Sequence, residues 1–163
     1  MNANEAIKGA IDMAQMCCNM YLEDLTDEDL MRRPADGCNH INWQLGHLIS
    51  SDHQMVSAVA PGKMPPLPEG FVEKYSKETA SSDDPSAFCS KDELLENAGK
   101  QLTAALGVLA ELSAEEMDVP TPEPLNAYAP TVGAVFNMLG SHWMMHSGQW
   151  VVVRRQLGRP PLF

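Results

Sequence analysis

His142-Trp-Met-Met-His146, followed three residues later by Gln149, places two imidazoles and a carboxamide inside one long apolar stretch. On a helix, residues four apart differ by roughly 40° of rotation and about 6 Å of rise, so both rings share a face and can converge on one metal ion. A third histidine, His47, lies far upstream in Asn42-Trp-Gln-Leu-Gly-His47-Leu-Ile. Three neutral nitrogen ligands with one position left open describe a catalytic metal centre rather than a structural one. A pair at this spacing arises easily by coincidence among five histidines, so the motif needs support from its surroundings. That support is the inward stripe: Val135, Met138, Leu139 and Val153 share it with both rings. Two buried imidazoles without partners are costly, and a shared ion satisfies both lone pairs at once.

Gln149 shares that stripe, one turn beyond His146, and is the candidate catalytic side chain, holding a substrate or a bound water by hydrogen bonding. The alternative is a polar residue satisfied by a backbone carbonyl. His47 shares a polar strip with His40, Trp43, Gln44, Ser51 and Gln54, opposite the apolar face of Ile41, Leu45, Leu48, Met55 and Val59. Such a strip faces either a cavity or solvent, and spacing alone does not make His47 a ligand. His40 lies about 10 Å along the axis from His47, too far to share an ion, and is assigned with Trp43 to the lining of the site. His53 is expected at the surface. Asp52 is out of phase with His47 and is expected to make a structural hydrogen bond.

Four helical segments of 3.6-residue periodicity must position these groups. The first runs from about Asn4 to Asp24, with Ile7, Ile11, Ala14, Cys18 and Leu22 on one side. Thr26-Asp-Glu-Asp29 resembles a capping box for one further turn. The second helix is expected from an Asn39 N-cap to about Ala60, where Pro61-Gly62 ends it. Residues 61–89, rich in proline, form either a lid over a site or a passive crossover between parallel helices, with a short helix near Phe71–Tyr75. Ser90-Lys-Asp-Glu93 opens the third helix, and Ser113-Ala-Glu-Glu116 caps a further turn. A second proline-rich linker leads to the fourth helix, from Thr131 to the C′ glycine Gly158. The expectation is an all-α four-helix bundle with long proline-rich connections, one domain over residues 1–163. The fourth helix is apolar on nearly every face, which calls for burial on every side; a homodimer would supply it, with Gly133 and Gly140 permitting close approach.

Bulk properties narrow the partners. Acidic residues number 22 against 11 basic, a formal charge of −11, which disfavours nucleic acid and anionic membrane surfaces. Neither a secretory signal nor a membrane-spanning stretch is visible, so a cytoplasmic protein is expected. Cys17, Cys18, Cys38 and Cys89 match neither a zinc spacing nor a disulfide framework and suit reduced thiols.

Taken together, Asn39-His-Ile-Asn-Trp43-Gln-Leu-Gly-His47-Leu, His142-Trp-Met-Met-His146-Ser-Gly-Gln149 and the ending Gly158-Arg-Pro-Pro161 resemble the DinB/YfiT-like superfamily over nearly the whole chain. The resemblance implies a four-helix bundle, usually dimeric, holding a divalent metal through one histidine of the second helix and two of the fourth. At the matching positions these are His47, His142 and His146. It also implies a range of activities, including transferases dependent on small thiols, an isomerase and proposed hydrolases. Residues 61–89 match nothing that would carry a substrate over.

Three neutral imidazoles leave a dication's charge uncompensated, which acidifies water or thiol in the open position. Imidazole is unselective among metals, with zinc or nickel the first expectations. No carboxylate is evidently placed as a general base, which favours a small thiol over water. The expected function is therefore a metal-dependent thiol S-transferase acting on a small-molecule substrate. A metal-dependent hydrolase is the alternative, and a non-catalytic metal-binding dimeric interaction or sensor module is the alternative of another class.

Overall fold

In this computed structural model, which describes residues 1–162, each of the four long helices starts where a side chain meets the free amides of its first turn. Asn2 and Glu5 form a capping box for α1 (Ala3–Leu22), and Thr26 with Asp29 does so for α2 (Asp27–Leu30). Ser90 and Glu93 open α5 (Lys91–Glu111), Ser113 and Glu116 open α6 (Ala114–Met117), and Thr131 caps α7 (Val132–Gln156). The start of α3 (Ile41–Val59) differs from expectation: its N-cap is His40, not Asn39, with the ring Nδ1 accepting from the Trp43 amide at 3.0 Å. The imidazole takes the role usually filled by a short polar side chain. At the other end of α1, the Lys91 ammonium donates to the carbonyls of Leu22, Glu23 and Leu25. That places a cation on the negative end of the helix dipole.

The long helices α1, α3, α5 and α7 form the bundle, and their directions follow from paired residues. Ala10 faces Gly140, and Tyr21 accepts a hydrogen bond from Arg154, so α1 and α7 run parallel. Asn4 donates to Leu109 and Leu112 while Lys91 reaches Leu22, so α5 opposes α1. Gln44 meets Gln149 while Asp52 meets Trp143, so α3 opposes α7. The order is up, down, down, up. Two parallel neighbours, α3 and α5, then require a long crossover, and residues 61–89 provide it. This crossover carries α4 (Phe71–Lys74) and buries Phe71, Tyr75 and Phe88 in the core. It is fastened to α3: the Trp43 indole donates to Ser76 O and Thr79 Oγ1, and the Arg33 guanidinium donates to carbonyls of Cys38, Ala80 and Ser82.

Gly46 is required by that packing. A Cβ there would stand 2.2–2.4 Å from three atoms of the Tyr75 ring, whose hydroxyl donates to Asn42 Oδ1 and accepts from the Cys89 amide. Gly140 serves a similar purpose inside the chain, since a Cβ would lie 3.2 Å from backbone atoms of Ala10 and Ile11. Gly133 likewise faces Met117. Both glycines therefore admit neighbours within the chain. The fourth long helix is also less uniformly covered than expected: Val132, Phe136, Leu139, Trp143, Trp150 and Val153 are buried, but Met144, Met145 and Val152 are 38%, 63% and 45% exposed. Among the described residues, β pairing is limited to an isolated bridge between Pro120 and Thr131, and no helix is long and apolar enough to cross a membrane.

Candidate metal centre

The seam between α3 and α7 holds the buried Gln44 and Asp52, each hydrogen-bonded to a tryptophan of α7. Both helices present aromatic and polar residues to it, and antiparallel packing aligns them turn by turn. Toward one end, the Trp143 indole donates to Asp52 Oδ2 at 2.7 Å. Toward the other, the Trp150 indole donates to Gln44 Oε1 at 2.9 Å. Between these two pairs the seam brings His47, His142 and His146 together.

The three rings offer ligand nitrogens that all lie within 4.8 Å of one another. Ring centroids stand 5.2 Å apart for His47 and His142, 5.6 Å for His47 and His146, and 4.9 Å for His142 and His146. All three side chains are half-buried, so the cluster reaches solvent on one side. No carboxylate or thiolate belongs to the cluster among the described residues. Burial pulls the His47 ring below the usual imidazole range. Burial, and then the neighbouring ring of His47, brings His142 down to about 4; burial and both neighbouring rings do the same for His146. At neutral pH all three rings are uncharged and carry free lone pairs, the form a metal requires. The donor set fits a borderline divalent ion held by three imidazoles with room for a further ligand.

Neighbours fix the rings. Trp43 lies flat on His47, with centroids 5.1 Å apart and planes 7° from parallel, and its own indole N–H is tied to the crossover. Trp43 is 6% exposed, so it backs the His47 ring instead of lining an open surface. His146 Nδ1 lies 3.1 Å from Gln44 Oε1. Gln44 Nε2 in turn donates to Asn39 O and to Gln149 Oε1 at 3.0 Å. Gln149 therefore stands beside the cluster with its carbonyl oxygen engaged, while its NH2 has no protein partner among the described hydrogen bonds.

Other residues singled out in the sequence lie elsewhere. His40 is fully buried, capping α3 with one ring nitrogen and meeting Ser82 O at 3.2 Å with the other, so it lines no opening. Burial and the Arg33 charge bring it down to about 4, keeping it neutral for that structural role. His53 is not a free surface residue; its Nδ1 lies 3.1 Å from Oε1 of the buried Gln101. Cys18 is buried with its thiol pushed up to about 12, chiefly by desolvation, so it is no nucleophile. Two residues carried no role in the sequence: Gln44, buried at 1% exposure, and Gly46. Gln44 sits three positions before His47 on the same strip, and that register is the signal that could have found it.

A family model described as the DinB superfamily matches residues 10–150. Among solved structures, the chain is similar to a crystal structure described as a conserved protein from Enterococcus faecalis. The two share 16% identity at a TM-score of 0.70, over 98% of this chain and 99% of that one, a likeness of fold. No curated protein matches the chain.

Proposed function

We propose, from the premise that this chain belongs to the DinB superfamily, that it is a metal-dependent enzyme transferring a small thiol to an electrophilic substrate. The observation that carries this reading is the convergence of three neutral imidazoles, His47, His142 and His146, with no carboxylate among them. When bound there, a divalent ion such as zinc or nickel would acidify a thiol or water in its remaining position. The absence of a carboxylate in the cluster favours the thiol: its sulfur needs only to lose a proton to solvent before attacking an electrophilic carbon, whose leaving group departs with the bonding electron pair. Gln149 supports this step as a hydrogen-bond donor, because Gln44 holds its carbonyl and its NH2 has no protein partner among the described hydrogen bonds. Trp43 holds the His47 ring in plane. A cytoplasmic setting, where small thiols stay reduced, accords with four free cysteines. Homodimer formation is part of the same proposal, with the exposed Met13 and Met16 of α1 and Met144, Met145 and Val152 of α7 as the apolar surface to be covered.

The test begins with metal analysis of protein purified without an affinity tag, beside His142→Ala. Close to one equivalent in the wild type and loss in the variant is the expected result; fewer than about 0.2 equivalents in both ends the proposal. Metal-loaded protein is then offered glutathione, bacillithiol, mycothiol or cysteine with a chloronitrobenzene electrophile. A thioether product dependent on His142 supports transfer. Ester or amide hydrolysis without any thiol moves the assignment to a hydrolase, and neither activity moves it to a binding or sensor module.

A further inference from the structure

Gln44 is joined to four groups, and two of them allow only one orientation of its amide. The Trp150 indole nitrogen can only donate, so the Gln44 atom 2.9 Å away must be oxygen. The Asn39 carbonyl can only accept, so the atom 2.6 Å from it must be the NH2. With the amide fixed by these one-way partners, the rest follows. His146 Nδ1 faces an oxygen, so that nitrogen carries the proton and Nε2 keeps the lone pair. Gln149 Oε1 faces the NH2, so its carbonyl accepts from Gln44 and its own NH2 is left without a protein partner among the described hydrogen bonds.

We infer that Gln44 is a positioning residue of the metal centre, setting His146 as an Nε2 ligand and orienting the Gln149 amide with its NH2 free to donate. This rests on the metal-centre assignment and deepens it. An occupant of the open position that carries a hydrogen-bond acceptor or an anionic atom should then gain a donor from Gln149. Neither feature is available from His146 or Gln149 alone, since an isolated imidazole or carboxamide could take either orientation.

The tautomer is read directly by long-range 1H–15N correlation spectra of metal-free protein labelled in histidine, so this arm does not depend on metal uptake. The wild type should show His146 protonated at Nδ1, and finding the proton on Nε2 overturns the inference. Gln44→Met removes the acceptor, and Gln44→Glu restores one. Competition against a chelator should show zinc affinity lowered about 10–100-fold in Gln44→Met, the range typical of lost ligand-orienting partners. Gln44→Glu keeps an acceptor for His146 although its second oxygen meets the Asn39 carbonyl, so folded protein should lose less zinc affinity than Gln44→Met. Folded Gln44→Met with unchanged zinc affinity overturns the inference, and a circular dichroism melt establishes that it is folded. If Gln44→Met does not fold, the His146 tautomer of the wild type decides. A wild type that binds no zinc yet shows the Nδ1–H tautomer defeats the metal assignment while leaving the Gln44 relay standing. For Gln149, azide titrated into cobalt-loaded protein and followed by visible absorption should bind about tenfold more weakly to Gln149→Leu; equal binding removes the donor role.

Discussion

Asp52→Asn should stabilise this protein, and the gain should grow with pH. Asp52 is 7% exposed; its Oδ2 accepts from Trp143 and its Oδ1 has no partner. Desolvation pushes the carboxyl up to about 7, opposed by the Trp143 hydrogen bond. In the unfolded chain the group titrates near the ordinary aspartate value of roughly 3.9. Between these two values the folded state holds a proton the unfolded state has released, so stability falls as pH rises, by about 1.4 kcal/mol per unit, and levels off above the folded value. Asparagine keeps an oxygen for the Trp143 indole but never ionises. The difference between variant and wild type should therefore widen by about 3 kcal/mol from pH 5 to pH 8, or roughly 5–10 °C in Tm for a chain of this size. At pH 5 the variant should be equal or slightly worse, because its NH2 takes the place of an unpartnered oxygen at a cost of about 1–3 kcal/mol. Thermal melts of both proteins in EDTA at pH 5, 6, 7 and 8 give the comparison, and histidine titrations cancel in the difference. A gap that stays constant with pH, or narrows, refutes the assignment of Asp52 as a buried group ionised at a cost.

Gly46→Ala should cost about 2–4 kcal/mol, since overpacking against Tyr75 outweighs the roughly 1 kcal/mol helix gain from alanine, whereas Gly107→Ala on α5, with nothing within 4 Å of its Cβ, should stabilise; urea unfolding of both checks the contrast. His40→Ala should lower stability by about 2–3 kcal/mol through loss of the cap and a buried cavity, with zinc stoichiometry in folded protein unchanged; loss of zinc from folded His40→Ala would return it to the site. For metal-free protein, His142 and His146 fall to about 4 in the folded state. The unfolded chain alone takes up their protons below about 6.5, so stability is full above that value and declines as pH falls toward 4. A melt series from pH 7.5 to 4.5 should show a smaller decline in a His142→Gln/His146→Gln double variant. Zinc at one hundred times its Kd should raise stability by about 2.7 kcal/mol, reversed by chelation; an unchanged Tm on loading would mean the folded chain does not select the ion.

Much of the scaffold was legible because helix starts are local. Thr26, Ser90, Ser113 and Thr131 meet amides two or three residues away, so their motifs sufficed. His40 was missed because imidazole is an unusual cap, and Asn39 beside it is a common one. The triad was half legible: His142 and His146 lie four apart on one helix, but His47 joins them only because α3 opposes α7. That orientation is set by packing and by the fastened crossover, neither of which any short spacing reveals. Gln44 was hard for the same reason, and so was the partner of Asp52, whose structural hydrogen bond itself was expected. Their burial depends on two tryptophans about a hundred residues away, at 150 and 143. Gly140 was read as a place of close approach, and the backbone of Ala10 and Ile11 is what lies there.

The seam explains why the centre should be preformed instead of assembled by its ion. Trp143 to Asp52 and Trp150 to Gln44 join α3 to α7 on either side of the histidines without any metal. Two indole donors placed this way fix both the separation and the register of the helices. The imidazoles are then held near one another while uncharged, as their depressed titration requires. An ion entering such a site pays little of the ordering entropy that makes zinc fingers fold only with metal. The metal-free protein should accordingly give a cooperative melt and retain the near-ultraviolet dichroism of its tryptophans. The same economy makes the seam vulnerable: Trp150→Phe removes the donor that orients Gln44, so it should loosen His146 and weaken metal binding while leaving the bundle folded.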